Sequence, residues 1–317
     1  MRGLLIALIA GFVSACNVMQ PPENIYDLTQ EEVAQLQLEY YSDYFSFVGR
    51  DDQGMVAFAL DNNRGRDQDQ WQADHFAVLY EEGKGWRELS GNGKYENADQ
   101  IIETIPNSEH FSFEGQVTDG IVIKSEANGV ELTIDPLTAD YRKEKGLAKF
   151  DMGASAAKLT VEGREIQGRV IYERLYLPGF NRLSRHYLGV FKDFQGIYAA
   201  VEGAGDLYLH QQASTFLEPL VGRQSGFLIK DNTLTPIDNL EINSNRRQLA
   251  IGFYLWPAVW QSKFEANSQQ YEIELQLSER NEIANWVLGG FSMGVVKGEI
   301  KTASGSSPVY GLGELIM

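Results

Sequence analysis

The sequence predicts an all-β protein of two antiparallel β-barrels in tandem, with minor helices, and three observations support this fold class. Strand–turn–strand patterns recur along the chain, the first of them from Tyr44 to Leu60. The segment Tyr271–Leu277 alternates apolar and polar residues without a break, as in a strand with one face in water. Finally, strands do not alternate with long helical segments, which argues against a Rossmann-like domain.

The hairpins can be placed in order by their turn residues. Asn128-Gly129 is a dipeptide that suits a tight turn, and similar polar or glycine pairs separate the other apolar runs. The predicted hairpins cover residues 44–60, 75–89 and 121–135, and two more turn at residues 162–163 and 231–232. Regular turns of this kind indicate an antiparallel meander.

Helices and domain limits follow from weaker signals. Residues Thr29–Glu32 fit a capping box, and Asn97 caps a short helical segment that ends at Ile105. Small residues at 151–157 suggest a boundary, so we expect an N-terminal domain at 39–152 and a C-terminal domain at 153–317. Each part has the size of a small barrel, and closing a barrel removes exposed sheet edges.

The N-terminus predicts export and lipid attachment. Residues 1–15 combine a positive charge with an apolar run too short to span a membrane, as in a signal peptide. Val13–Cys16 looks like a lipobox, and Cys16 is the only cysteine, so we expect Cys16 to carry the lipid, such as palmitate. Residues 16–38 then form a tether and a short helix. In lipoproteins that this N-terminus resembles, a residue other than aspartate after the cysteine usually implies sorting to the outer membrane, so Asn17 implies that location, with the protein facing the periplasm.

Charge and composition limit the partners. The net charge of −17 argues against nucleic acid, which would repel the chain. The four histidines are not spaced as metal ligands, and no cofactor motif occurs, so we expect neither a metal nor a cofactor. Aromatic residues are frequent, and Trp256 and Trp260 fall in one segment. They are candidate cavity aromatics, although aromatic side chains also fill ordinary cores.

Residues 168–179, GRVIYERLYLPG, indicate a strand with charges at its centre. Because side chains alternate along a strand, Tyr172, Arg174 and Tyr176 share one face and Glu173 lies on the other. A carboxylate on an aliphatic face is costly unless it is paired or used. Glu173 and Arg174 are therefore candidate site residues, and a structural ion pair is the alternative.

The order of several motifs carries a family resemblance. It is similar to that of the two-domain lipocalin-like family of the bacterial carotenoid hydratases (hydroxyneurosporene synthases) and the AttH-like proteins. The matching segments are Tyr44-Phe45, Asp51–Gly54, Phe58–Arg64, Ala73–Ala77, Gly168–Tyr176, Phe194–Asp206 and Gly311–Leu315. The resemblance implies lipocalin-like barrels and marks His75, at the centre of its segment, as a further candidate. A partly buried strand histidine is the simpler interpretation of His75.

The departures from the family weaken the hydratase hypothesis. In those enzymes an acidic group near the second conserved strand is thought to protonate an alkene, a role that the resemblance gives to Glu173. Where the family has a histidine this chain has Arg174, and a second acidic position is occupied by Gln195. Neither side chain supplies a proton near neutral pH.

We therefore expect a lipid-anchored cell-envelope protein that binds a hydrophobic small molecule, a lipid or terpenoid, in a β-barrel cavity. Two alternatives stay open. One is an isoprenoid hydratase or isomerase on the same scaffold, with Glu173 as the acid and Tyr172 or Tyr176 nearby. The other is a carbohydrate-binding protein of the envelope, which needs an exposed aromatic platform in a shallow groove.

Overall fold

The computed structural model describes most of the chain beyond residue 37, and at some strand ends it describes only the backbone. The described residues are 38–67, 70–96, 105, 107–137, 139–145, 148–178, 194–203, 205–211, 224–231, 233–249, 255–286 and 289–316. Cys16, the tether and the predicted helix after Thr29 lie outside these residues, as does nearly all of the helix predicted from Asn97. One turn of 3-10 helix, Glu126–Asn128, is the only helix among the described residues.

Ten strands form the first sheet, and all their pairings are antiparallel. In chain order they are β1 Leu38–Asp51, β2 Gly54–Asp67, β3 Gln70–Glu81, β4 Gly85–Glu96, β5 Ser112–Gln116, β6 Gly120–Ser125, β7 Val130–Ile134, β8 Ala139–Lys145, β9 Ala148–Val161 and β10 Arg164–Pro178. The order across the sheet is β4-β3-β2-β1-β10-β9-β7-β6-β5, and β8 also pairs with β9. Strand β10 therefore lies at the centre, next to β1.

Nine strands form the second sheet, which is antiparallel as well. They are β11 Phe194–Val201, β12 Gly205–Gln211, β13 Gln224–Lys230, β14 Thr233–Pro236, β15 Asp238–Leu249, β16 Leu255–Ala266, β17 Gln269–Trp286, β18 Gly289–Thr302 and β19 Gly305–Ile316. The order across the sheet is β14-β13-β12-β11-β19-β18-β17-β16-β15. The last strand of the chain thus occupies the middle of this sheet.

These two sheets confirm the predicted all-β fold class. The turns agree with the hairpin pattern in detail. Glu162 and Gly163 both have positive φ (52° and 84°), as a two-residue hairpin turn of the primed type requires. Gly129, with φ 61°, ends the 3-10 turn in the left-handed conformation that glycine adopts without strain.

The apolar side chains form three clusters. One lies on the inner face of the first sheet, with Phe47 and Phe58 at its centre, and another on the inner face of the second sheet, around Trp260. The third cluster contains residues of both sheets, such as Tyr44 and Tyr198, whose ring centroids are 5.1 Å apart. Each sheet therefore encloses its own core, and the opposite faces of the two sheets pack against each other.

The change from one sheet to the other occurs between Pro178 and Phe194. The boundary that we predicted after residue 152 falls inside β9, which belongs to the first sheet together with β10. The small residues that suggested a linker lie in the middle of this strand. Ala154 packs in the cluster between the sheets, and Ala157 packs in the core of the first sheet.

Polar contacts also join the two sheets. Arg169 of β10 donates hydrogen bonds to both carboxylate oxygens of Asp206 in β12, at 3.0 Å from Nε to each and 2.6 Å from the terminal nitrogen to Oδ2. The hydroxyl of Tyr80 donates to Oε1 of Glu279 at 2.9 Å, and the indole of Trp86 donates to the backbone carbonyl of Glu279. These hydrogen bonds connect the two sheets in addition to the apolar cluster between them.

Candidate acid–base site between the two sheets

Glu173 lies on the face of β10 that packs against the second sheet. Register places Tyr44 opposite both Glu173 and Asp61, so these three residues form a row across β2, β1 and β10. All three are buried. Because side chains alternate along β10, Ile171 lies on the same face as Glu173 and packs in the apolar cluster between the sheets. Glu173 is therefore a carboxylate on an otherwise apolar face.

The second sheet contributes a tyrosine and another carboxyl group. Tyr198 of β11 and Glu314 of β19 point to the same side of this sheet, because Glu314 is paired with Gly196. The Tyr198 hydroxyl lies 3.2 Å from Oε2 of Glu173 and 3.1 Å from Oε2 of Glu314. We call the five residues that meet here the interface cluster: Tyr44, Asp61, Glu173, Tyr198 and Glu314.

Burial and nearby carboxylates change the acidity of the cluster. Burial raises the pKa of Glu314 well above its ordinary value of 4.5, and the charges of Glu173 and Asp61 raise it further. The pKa of the Tyr198 hydroxyl is raised by burial and then by Glu173 and Glu314. The same site therefore favours a neutral Glu314 and a neutral tyrosine.

The two contacts of Tyr198 indicate where the protons lie. A tyrosine hydroxyl carries one hydrogen, so it donates to only one of the two carboxyl groups. The other short contact is satisfied when that carboxyl group is protonated and donates to the tyrosine oxygen. Since the pKa of Glu314 is raised, the consistent arrangement is a protonated Glu314 that donates to Tyr198, which in turn donates to Glu173.

Tyr44 provides a second hydroxyl in the same place. Its hydroxyl is buried and forms no well-aligned hydrogen bond among the described residues, with Ser46 as a weak hydrogen-bonding neighbour. Burial, followed by the charge of Glu314, raises the pKa of this hydroxyl well above its ordinary value of 10.0, so it remains a donor. Buried polar groups are normally satisfied, and an exception calls for an explanation such as a bound molecule.

The neighbours of Glu173 in β10 point away from this cluster. The hydroxyl of Tyr172 and the Nε of Arg174 both donate to Oδ1 of Asp43, the latter at 2.7 Å. Tyr172 packs in the inner core of the first sheet. Arg174 is paired with Asp151 of β9 on one side and with Asp43 of β1 on the other, and Asp43 is paired in turn with Asn62 of β2. We call these four residues the inner row.

The remaining predicted site residues are spread over other places. Gln195 accepts a 2.8 Å hydrogen bond from the indole of Trp260, which is buried in the inner core of the second sheet. For His75, Tyr176 and Trp256 the structure describes strand pairing only, in β3, β10 and β16. Of the predicted candidates with described side chains, Glu173 alone belongs to the interface cluster.

Sequence reasoning missed most of the residues that surround Glu173. Tyr198, Glu314 and Asp61 were not candidates, and neither was the pair of His210 and Ser225, whose Nδ1 and Oγ atoms are 3.0 Å apart. His210 is buried and stacks on Phe194, with ring centroids 5.8 Å apart. The one signal available was Glu314 in the terminal match to the family, and it was not read as an acid.

The described residues contain neither a metal-ligand cluster nor a membrane-spanning helix. Within these ranges, no group of three or more His, Cys, Asp and Glu side chains is arranged to hold a metal ion. The same residues contain no helix of the length and hydropathy needed to cross a membrane.

Comparison with known proteins identifies the fold through structure alone. No family model matches the chain, and no curated protein matches it in sequence. Kievitone hydratase from Nectria haematococca superposes with a TM-score of 0.61 at 10% identity, over 95% of this chain and 94% of that one. The chain has the two-domain lipocalin-like fold. A protein assigned as AttH from Nitrosomonas europaea gives a TM-score of 0.61 at 12% identity, over 93% and 97% of the two chains.

CghA has the same lipocalin-like architecture, with a TM-score of 0.56 at 11% identity over 88% of each chain. It has also been solved with Sch210972. The predicted resemblance to the carotenoid hydratase and AttH-like family is thus confirmed at the level of the fold. At such low identity the likeness concerns the fold only, so the chemistry has to be argued from the residues of this chain.

Proposed function

We propose that this lipocalin-like protein is an acid–base enzyme that adds water to, or removes water from, an apolar unsaturated small molecule between its two sheets. The observation that carries the proposal is the buried Tyr198 hydroxyl shared by Glu173 and Glu314. A raised pKa keeps Glu314 protonated, and it can then act as a general acid near neutral pH. With the proton assigned to Glu314, Glu173 takes the role of the base, and such a division between two carboxyl groups is the basis of acid–base catalysis.

The reaction follows from these roles. Glu314 transfers its proton to one carbon of a C=C bond, and positive charge develops on the neighbouring carbon. Glu173 removes a proton from a water molecule while the water oxygen bonds to that carbon, so the net change is addition of H and OH across the double bond. Tyr198 then passes a proton from Glu173 back to Glu314 and restores the starting state. Dehydration is the same sequence in reverse.

The surroundings of the interface cluster support an apolar substrate. Phe76 of β3 and Phe291 of β18 meet across the sheets, with ring centroids 5.2 Å apart. Tyr208 stacks on Phe227 in the same apolar cluster, at 5.3 Å. The hydroxyl of Tyr44 adds a hydrogen-bond donor to hold a polar group of the substrate. One solved protein of this fold is named a hydratase, which supports the reaction class.

Binding without catalysis is the second candidate. The inner faces of both sheets carry packed apolar side chains, so we propose the space between the sheets rather than a barrel interior for a hydrophobic ligand. The Tyr44 hydroxyl, which has no well-aligned partner among the described residues, favours binding of some molecule whether or not a reaction follows. A pure binding protein requires no difference in protonation between Glu173 and Glu314.

An experiment with isotopic water separates these functions. The protein is incubated with terpenoid and lipid extracts in H₂¹⁸O, and products are analysed by mass spectrometry. Catalysis gives products that contain ¹⁸O, and Glu314→Gln lowers their yield by about 10²–10⁴. The matched control is Glu274→Gln, because Glu274 is an exposed glutamate on β17 of the same sheet.

Three results are informative. Molecules that co-purify with the protein but gain no label indicate the binding function. Labelled products formed equally well by Glu314→Gln contradict the assigned acid. If neither product nor co-purified molecule is found across several extracts, both proposals fail.

Location in the cell envelope is part of the proposal and rests on the sequence. Val13–Cys16 supports cleavage before Cys16 and acylation of its thiol, which anchors the chain to a membrane. Metabolic labelling with palmitate, comparing the wild type with Cys16→Ser, tests this directly. Label in the wild type alone supports the anchor, whereas unlabelled wild type excludes it.

A further inference from the structure

A cavity of about 290 Å³ lies at one end of the second sheet, on its inner side. Its walls come from strand ends and hairpin turns, including the turn that joins β18 to β19. Gly305, at the start of β19, belongs to this wall, whereas Glu314 lies about 30 Å further along the same strand. The cavity is therefore separate from the interface cluster.

The cavity has an apolar floor and a polar rim. Val201, Leu228 and Ile300 form the floor and belong to the inner core of the second sheet. Around them are hydroxyl and amide side chains, Gln269 and Ser306 among them. No aspartate or glutamate lines the cavity, although the chain has 44 acidic residues. Apart from Lys230, the polar groups of the walls are thus neutral donors and acceptors.

An aromatic ring is fixed in the wall. Tyr271 lines the cavity and stacks on Phe264, with ring centroids 5.1 Å apart and an interplanar angle of 13°. The hydroxyl of Tyr271 donates to Oε1 of Gln269 at 3.1 Å, which orients the amide beside the ring. Phe264 is buried, so the ring of Tyr271 rests on the core of the sheet. Its position requires little ordering when a ligand binds.

The neighbouring turn between β18 and β19 is also organised before any ligand binds. The hydroxyl oxygens of Thr302 and Ser304 are 2.9 Å apart, and the backbone N–H of Ser304 donates to Oγ1 of Thr302 at 3.2 Å. This turn presents several hydroxyl groups on a short, hydrogen-bonded segment. Hydroxyl groups both donate and accept hydrogen bonds, so they can match a ligand that does the same.

We propose that this cavity is a binding site for a neutral sugar the size of one ring. The apolar floor and the ring of Tyr271 contact the C–H groups of the sugar, and Gln269 and the serine and threonine hydroxyls bind its OH groups. The volume lies just below the usual range for small-molecule pockets, about 300–1,000 Å³, and suits a one-ring ligand better than a long terpenoid. Lys230 is the only charged residue in the wall; it is exposed and can donate to a sugar hydroxyl, and an anionic probe tests whether its charge governs binding instead.

The experiment uses the intact protein and defined probes. D-glucose, N-acetyl-D-glucosamine and inorganic phosphate are titrated separately, and binding is followed by saturation-transfer NMR. We expect saturable binding of a sugar with a Kd near 1 mM, about −4 kcal/mol. Gln269→Leu keeps the size of the side chain but removes its hydrogen bonds, and it should weaken binding about tenfold.

The matched control is Gln261→Leu, which makes the same change at an exposed position on β16. It should leave the affinity unchanged. Tyr271→Phe distinguishes the ring from its hydroxyl, since the ring alone preserves the stacking surface. The inference is overturned if no sugar binds saturably, if phosphate is the only probe that binds, or if Gln269→Leu binds as well as the wild type. None of these results depends on the activity proposed for the interface cluster.

Discussion

The two faces of β10 carry polar residues in very different settings. On the inner face, Arg174 donates to Asp43 in a pair whose side chains are 6% and 0% exposed. On the face toward the second sheet, Glu173 meets Tyr198, and the titration of the nearby Glu314 is governed by burial, Glu173 and Asp61. The two rows are one residue apart in register, and both cross β2, β1 and β10.

The difference concerns charge compensation. In the inner row a cation and a tyrosine hydroxyl bind the buried carboxylate, so its charge is stabilised and the strands are held in register. In the interface cluster, burial and the charges of Glu173 and Asp61 raise the pKa of Glu314, so a proton rather than a cation neutralises this carboxyl group. The ion pair of the inner row stabilises the fold. The protonated carboxyl group of the interface cluster instead holds a proton that a reaction can use.

The largest effect is expected in the inner row. Arg174→Met leaves Asp43 buried without its cation and should lower the free energy of unfolding by about 3–5 kcal/mol. The double variant Asp43→Asn with Arg174→Met should regain part of this loss, because no buried charge then lacks a partner. Urea denaturation measures both. A loss below about 1 kcal/mol for Arg174→Met contradicts a supporting role for the row.

The interface cluster should respond to pH in the opposite sense to an ordinary salt bridge. Glu314 holds its proton more tightly in the folded protein, so the folded state binds more protons above the ordinary pKa of 4.5. Between 4.5 and the raised pKa, Glu314 therefore lowers stability by about 1.4 kcal/mol per pH unit. Glu314→Gln removes this contribution, so the variant gains stability relative to the wild type as the pH rises through that window.

Denaturation of both proteins at several pH values measures that difference. A constant difference between Glu314→Gln and the wild type from pH 5 to about 8 is inconsistent with a protonated Glu314. Exposed carboxylates contribute equally to both proteins and cancel in the comparison.

The smallest effect is expected for the shared hydroxyl. Tyr198→Phe removes one buried hydrogen-bonding group and should cost about 1 kcal/mol of stability, with an activity about tenfold lower. A double-mutant cycle with Glu173→Gln measures the coupling between the two side chains. Additive effects on activity argue that Tyr198 does not relay a proton between the carboxyl groups.

The sequence was most informative where the pattern is local. Alternation and turn residues predict the hairpins, and the apolar neighbours of Glu173 indicate that its carboxylate needs a special environment. Glu314 and Tyr198 could not be assigned in this way, because they meet Glu173 through the packing of two sheets that form from distant parts of the chain. Residues 151–157 were misleading because small side chains are typical both of linkers and of strands that pack closely on each face.

The central position of β19 has a consequence for the order in which the second sheet can form. This strand pairs with β11 and β18, so β19 joins β11–β14 to β15–β18 in the hydrogen-bonded order of the sheet. Until β19 is in place, the first sheet has no complete surface against which to bury its aromatic face. We therefore expect closure of the second sheet to be a late step of folding, because it depends on contacts between segments that are far apart in the chain.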